Sequence, residues 1–122
     1  MAAELTLQGL NIAFTKANCP SVNFTAPTIQ VTVSGTQYMD NVQSIGFAAE
    51  EAILLGDVAS GGYWYFENMD ATNFISVRAA AAETAFMKLA AGKWAILPVI
   101  AAAPTAQADT AAVNLRCFRF DL

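Results

Sequence analysis

The sequence contains no histidine. Because imidazole is the commonest general base near neutral pH and the commonest metal ligand, this absence excludes serine triads and histidine-based zinc sites. The two cysteines, Cys19 and Cys117, lie near opposite ends of the chain and lack the CxxC spacing of structural zinc sites. We therefore expect no enzyme activity, no metal and no cofactor, and two separate thiols rather than a disulfide.

Charged residues are also scarce. Asp, Glu, Lys and Arg make up 13% of the chain, against about 25% in a typical soluble domain, and the net charge is −4. Nucleic-acid binding requires clustered positive charge, so no nucleic-acid partner is expected. Arg116 and Arg119 form the one close basic pair in the sequence. Two solvated side chains near a terminus are expected there.

Long hydrophobic runs are missing as well. The longest, Trp94 to Ala103, has ten residues and contains Pro98, whereas a membrane-spanning helix needs about 20. Residues 1–16 lack the basic start and continuous apolar stretch of a secretion signal. We expect a chain made in the cytoplasm, with no membrane partner.

Apolar residues are abundant, at 56% of the chain, and 25 of them are alanine. A chain of 122 residues suits one domain, since a single core usually serves about 100 to 200 residues. Residues 1–27 are expected to form an extended arm or an edge strand of that domain. A surface so poor in charge favours contact with other subunits over an alanine-rich monomer of high thermal stability.

Short runs of β-branched and aromatic residues between Gly, Pro, Asn and Asp predict strands. The predicted strands are Leu5 to Phe14 with a bulge or bend at Gly9, Thr28 to Val33, Tyr38 to Ile45, Ile53 to Val58, Tyr63 to Phe66, Phe74 to Arg78, Thr84 to Leu89, Lys93 to Val99, and Val113 to the end. The Ser60-Gly61-Gly62 turn predicts a hairpin between Ile53–Val58 and Tyr63–Phe66.

Two stretches have helical composition, residues 47–55 and 79–85, but both are short and a loop or single turn is predicted. Ser34-Gly35-Thr36 predicts a turn, and residues 101–112 predict a loop of small residues. Eight or nine short strands with little helix indicate an all-β fold. The expected architecture is a β-sandwich, with a jelly roll as the candidate topology.

The most β-prone run is Tyr63-Trp64-Tyr65-Phe66. Since alternate residues of a strand face opposite sides, Trp64 and Phe66 are predicted to point inward and the two tyrosines outward. A central strand with tyrosine hydroxyls at a wet rim is one interpretation. The other is that the outward face meets a neighbouring subunit, where Tyr and Trp are enriched.

The acidic residues indicate turns rather than chemistry. Glu50 and Glu51 are adjacent and are expected to be a solvated pair. Asp70, between Asn68 and Asn73, favours an Asx-turn over a calcium ligand.

Five segments carry a resemblance to a known group. They are Gly56-Asp57-Val58, Gly61-Gly62-Tyr63, residues 68–74, residues 88–92 and residues 108–111. Over residues 53–118 the chain resembles small virion proteins of tailed bacteriophages, which include capsid cement or decoration proteins and some tail components. The four successive alanines within Val77 to Thr84 depart from the more polar loop expected there.

The resemblance implies a β-sandwich in the virion that has no catalytic residues and clamps neighbouring subunits. The expected partners are other virion proteins, first the major capsid protein, and further copies of the chain. A cement protein is the preferred function. One alternative is a tail, neck or fibre-associated protein. The other is a carbohydrate-binding module in which Tyr63, Trp64 or Trp94 stacks on sugars. The expected contact residues are Tyr63, Tyr65, Asn68, Asp70, Asn73 and Trp94.

Overall fold

The computed structural model describes residues 5–32, 38–54, 58, 61–97 and 103–121. Over these ranges the chain forms strands and no helix, so the predicted all-β class is confirmed. The strands are β1 (Leu5–Leu7), β2 (Asn11–Phe14), β3 (Val22–Thr25), β4 (Ile29–Val31), β5 (Tyr38–Ile45), β6 (Glu51–Ala52), β7 (Gly61–Asn68), β8 (Ile75–Arg78), β9 (Met87–Leu89), β10 (Trp94–Leu97), β11 (Thr105–Ala108) and β12 (Val113–Asp121).

The first compact unit, Met1–Val33, contains two separate two-stranded antiparallel sheets. One pairs β1 with β4 and the other pairs β2 with β3. Gly9 lies between β1 and β2 with a φ of +79°, a conformation that glycine adopts without steric cost. Of the two predictions at Gly9, the bend between two strands is therefore the one observed. The predicted arm, residues 1–27, falls within this unit.

The second compact unit, Ser34–Leu122, contains two four-stranded antiparallel sheets. The first has the longer strands and is called the large sheet; its strand order is β10-β7-β12-β5. The second is called the small sheet, and its strand order is β6-β11-β8-β9. The sheets pack as a sandwich-like pair, which confirms the predicted architecture, while the jelly-roll topology stays a prediction.

One core lies between these two sheets. Its buried members are Ile45, Ile53, Trp64, Phe66, Ile75, Val77, Leu89, Ala106, Ala108, Val113, Leu115 and Cys117. They follow from the two-residue period of strands, because β12 buries Val113, Leu115 and Cys117 and leaves Asn114 exposed.

The predicted hairpin between residues 53–58 and 63–66 is wrong. β7 pairs with β10 along one edge and with β12 along the other, so neither edge is free for an earlier segment. Ile53 instead contributes a buried side chain to the core, and its N–H donates to the carbonyl of Pro104. Residues 55–57 and 59–60 lie outside the described residues, as does the predicted turn at residues 34–36.

The predicted loop over residues 101–112 is also wrong in part, because it contains β11. This strand pairs with β6 and with β8 in the small sheet. Its core-facing residues are Ala106 and Ala108, whose small side chains fit between the sheets and make the alternation with Thr105 and Gln107 only weakly hydrophobic. Around Ala82, which has a φ of +63°, the chain forms the turn that was predicted for residues 79–85. No helix in the described ranges is long and apolar enough to cross a membrane.

Candidate interaction surface

The strand β7 sets which side chains the large sheet presents on each side. Trp64 and Phe66 are each 1% exposed, and their rings stack with centroids 5.5 Å apart in the core. Tyr63 and Tyr65 lie on the opposite side and are partly exposed. The predicted strand phase is therefore confirmed, and Trp64 is excluded as a sugar-stacking residue because it is buried.

The register of the large sheet places an array of aromatic side chains on its outer side. One row across the sheet contains Tyr38, Phe120 and Tyr63, and the next contains Asp40, Phe118, Tyr65 and Ile96. A third row contains Val42, Arg116, Glu67 and Trp94. We call the apolar members the aromatic face: Tyr38, Val42, Tyr63, Tyr65, Trp94, Ile96, Phe118 and Phe120.

Ring contacts join the strands across this face. Tyr38 stacks on Phe118 with centroids 5.8 Å apart, and Phe118 contacts Phe120 at 4.8 Å. Toward the other edge of the sheet, on the same side, Tyr65 stacks on Trp94 at 5.9 Å. Tyr38 is 67% exposed and Trp94 is 52% exposed, so the outermost strands carry the most accessible rings. Because regular strands hold the rings, the surface is ordered before any partner binds.

Two polar contacts border the rings. Arg116 donates from Nε and Nη2 to the two carboxylate oxygens of Asp40, at 3.0 and 2.9 Å. This hydrogen bonding lowers the pKa of Asp40 and raises that of Arg116. The Tyr65 hydroxyl donates to Glu67 at 2.7 Å. Burial and this bond to a carboxylate raise the pKa of Tyr65.

The outer side of the small sheet is different in character. Glu50 accepts hydrogen bonds from Arg78 at 3.1 Å, from the Thr105 hydroxyl at 2.8 Å and from the Ala82 N–H at 2.7 Å. The Thr105 hydroxyl and the Ala82 N–H, with Arg78, lower the pKa of Glu50. The expectation of a solvated Glu50 is therefore wrong, since its carboxylate is held in a network. These polar groups of the small sheet's outer side are thus satisfied by one another.

Three predicted contact residues, Asn68, Asp70 and Asn73, form a structural turn instead of joining the aromatic face. Asn68 is fully buried; its side-chain amide donates to the carbonyls of Asn73 and Leu89, and its oxygen accepts from the Asp70 N–H. Asp70 accepts from the N–H groups of Asn73 and Thr72, which lowers its pKa and completes the predicted Asx-turn.

Arg119 is the residue that the sequence interpretation missed. It was expected to be solvated, but it is fully buried on the inward side of β12, opposite Trp64. The alternation of β12 contained the signal, because Arg119 shares the phase of Leu115 and Cys117. Arg116, in the opposite phase, is the partly exposed member of the pair.

The thiols differ in accessibility. Cys19 is exposed and Cys117 is buried, and both are free. Burial raises the pKa of Cys117 to about 12. In the part of the chain that the structure describes, no group of three or more Cys, Asp or Glu side chains could hold a metal ion.

Comparisons with protein-family models, with curated proteins and with solved structures found no significant match.

Proposed function

We propose that this protein is a non-enzymatic virion structural protein, preferably a capsid cement or decoration protein, that attaches to neighbouring shell subunits through the aromatic face. The observation that carries the proposal is the row-by-row array of partly exposed rings on the outer side of the large sheet. The virion setting rests on the sequence resemblance over residues 53–118. Attachment through an apolar surface also agrees with the low charge content, 13% of the chain.

The physical properties of the aromatic face suit a permanent contact. Tyr and Trp are enriched in the centres of protein interfaces because they bury a large area with few rotatable bonds. The sheet holds the rings in place, so little conformational entropy is lost on binding. A standard interface buries on the order of 1,600 Å², and repetition over a shell adds avidity to each single contact.

The test is co-sedimentation with a reconstituted particle. The protein is co-expressed with the gene products encoded beside its own gene, and assembled particles are purified by density gradient. We expect the wild-type chain to sediment with the particle and the combined variant Tyr65→Ala/Trp94→Ala to remain in the soluble fraction. Phe86→Ala is the matched control, because Phe86 is an exposed ring outside the aromatic face. Equal retention of all three proteins would overturn the use of this face.

The same experiment separates the shell from the tail. Co-sedimentation with a major capsid protein supports the cement function, whereas binding to a tail, neck or fibre product alone supports the alternative position in the virion.

One observation favours the carbohydrate-binding alternative. The exposed Trp94 ring stacks on Tyr65. Glu67 is the cross-strand partner of Trp94 and brings a carboxylate to the same side of the sheet as the Trp94 ring. Such a ring and acceptor could bind a pyranose. Affinity electrophoresis in gels containing soluble polysaccharides tests this function, and retardation that Trp94→Ala abolishes would favour it over the cement function.

A further inference from the structure

A second apolar surface lies on the first compact unit. The pairing of β2 with β3 sets Ile12 opposite Phe24 and Phe14 opposite Val22. Cross-strand partners and residues two positions apart share one side of a strand pair, so these four side chains form a single face. We call it the ribbon face. The other side of the same ribbon carries Asn11, Ala13, Asn23 and Thr25, and there Thr25 donates to the Asn11 oxygen at 3.4 Å.

The ribbon face is open in the single chain. Its four side chains are 48–51% exposed. A two-stranded ribbon is marginally stable in water unless its apolar side is covered by further strands or another element. A regular ribbon whose apolar side chains all lie on one side is thus expected to have that side covered by another structural element.

The distribution of charge favours a second copy of the chain as the element that covers the ribbon face. Residues 1–33 contain one acidic residue, Glu4, and one basic residue, Lys16, for a net charge of zero. The other nine acidic and five basic residues lie in residues 34–122, for a net charge of −4. Copies that meet through the ribbon face therefore bring no net charge of the first unit against one another. The ribbon face has no charged group with which to select a charged partner, and an uncharged face carries no like-charge repulsion against a second copy of itself.

We infer that the ribbon faces of two copies pack against each other in a two-fold symmetric contact. In such a contact the same patch is used on both copies, and the two ribbons form a small four-stranded stack. This contact goes beyond the proposed function, which uses a different surface.

The area available predicts a weak pair. A fully buried large side chain covers roughly 150 to 250 Å². The four half-exposed side chains of the ribbon face therefore offer on the order of 400 Å² per copy, or about 800 Å² in total. That total is below the roughly 1,200 to 2,000 Å² of stable complexes. The pair is therefore expected to form at high protein concentration in solution and to add avidity when copies are crowded.

Sedimentation velocity of the full chain over a concentration series tests the inference. We expect concentration-dependent dimers for the wild type, and dimerisation weakened at least about tenfold by Ile12→Thr/Phe24→Thr, which removes apolar contact while placing at both positions a β-branched residue that suits a strand. The control Ala13→Thr/Asn23→Thr changes the opposite side of the ribbon and should dimerise like the wild type. A wild type that stays monomeric throughout, or a control that loses dimers equally, would overturn the inference.

A second measurement avoids substitutions in the ribbon. Cys19 lies in the connection between β2 and β3 and is exposed, whereas Cys117 is buried, so a thiol-reactive dye attaches at Cys19. Mixed donor-labelled and acceptor-labelled copies should show energy transfer that unlabelled protein competes away. Tyr65→Ala/Trp94→Ala should leave this transfer unchanged. If those aromatic-face substitutions abolish the transfer, copies meet through the aromatic face and the ribbon contact is wrong, while the proposed function still stands.

Discussion

The guanidinium carbon of Arg119 lies 4.2 Å from the centroid of the Trp64 ring, inside the sandwich. The two residues are cross-strand partners on β12 and β7, and both are almost completely excluded from solvent. A cation over an indole ring is attracted by the ring quadrupole, and this interaction contributes about 2 kcal/mol or more when the pair is desolvated. The core thus contains a charged side chain next to its largest aromatic one.

Trp64→Ala is expected to lower the free energy of unfolding by about 3 to 5 kcal/mol, because it leaves a cavity and removes the ring beneath Arg119. Tyr65→Ala should leave the fold nearly intact and weaken attachment to the particle, because its ring belongs to the aromatic face. Urea denaturation and co-sedimentation measure the two effects. Unfolding by Tyr65→Ala together with simple detachment by Trp64→Ala would reverse the assignment of the two sides of β7.

Asn68→Ala is expected to cost roughly 2 to 4 kcal/mol, because it leaves buried carbonyls and an N–H without the hydrogen bonds that Asn68 supplies. The lost contacts are those to Asn73, Leu89 and Asp70. Asn114→Ala is the control, because Asn114 is exposed on the neighbouring strand. Equal urea midpoints for the two variants would show that the turn contributes little.

Stability is expected to fall in acid. The pKa values of Asp40, Glu50 and Asp70 are lowered in the folded chain, mainly by hydrogen bonds from Arg116, the Thr105 hydroxyl and the Asn73 N–H. The folded state therefore binds fewer protons than the unfolded state, and this stabilisation is present above the ordinary values of 3.8 for Asp and 4.5 for Glu. It is lost as the pH falls through the lowered values.

At alkaline pH the stability is expected to change with pH in the opposite direction, falling as the pH rises. The pKa of Cys117 rises from 9.0 to about 12 on folding, so the unfolded chain loses this proton first. The corresponding stabilisation is present below pH 9 and declines above it. Urea midpoints measured from acid to alkaline pH should therefore form a plateau with a fall at each end. An acid limb that continues flat well below the ordinary carboxyl values would contradict the hydrogen-bond assignments.

Attachment through the aromatic face should survive high salt. Apolar contact is not screened by ions, whereas exposed ion pairs weaken as the Debye length falls from about 10 Å at 0.1 M to about 3 Å at 1 M. Particles washed over that range should keep their copies of the protein. Release of most copies would show that pairs such as Asp40–Arg116 form the contact instead.

One thiol per chain should react with Ellman's reagent in the native protein, and the second should react only on unfolding. The reactive group is the exposed Cys19, because burial protects Cys117 and raises its pKa. Cys19→Ser should eliminate the native reaction. Rapid native labelling of that variant would mean that β12 opens readily.

The sequence by itself determined the all-β class, most strand positions in the second half of the chain, and the phase of β7. These features depend on local alternation and on the size of aromatic side chains, which are properties of neighbouring residues. The Asx-turn at Asp70 is equally local, because its hydrogen bonds join residues two and three positions apart.

Only the tertiary structure decided which strands pair and what covers each residue. The partners of β7 are β10 and β12, far along the chain, so the local Gly61-Gly62 turn signal was misleading. β11 is a strand because β6 and β8 pair with it, although the alternation of its two alanines with Thr105 and Gln107 is only weakly hydrophobic. Arg119 is buried because β12 is central in the large sheet and Trp64 lies opposite. Asn68, which was predicted to contact a partner, is buried beneath the turn at Asp70. Local alternation sets which residues of a strand share a side, whereas long-range pairing sets which segments lie beside that strand and cover it.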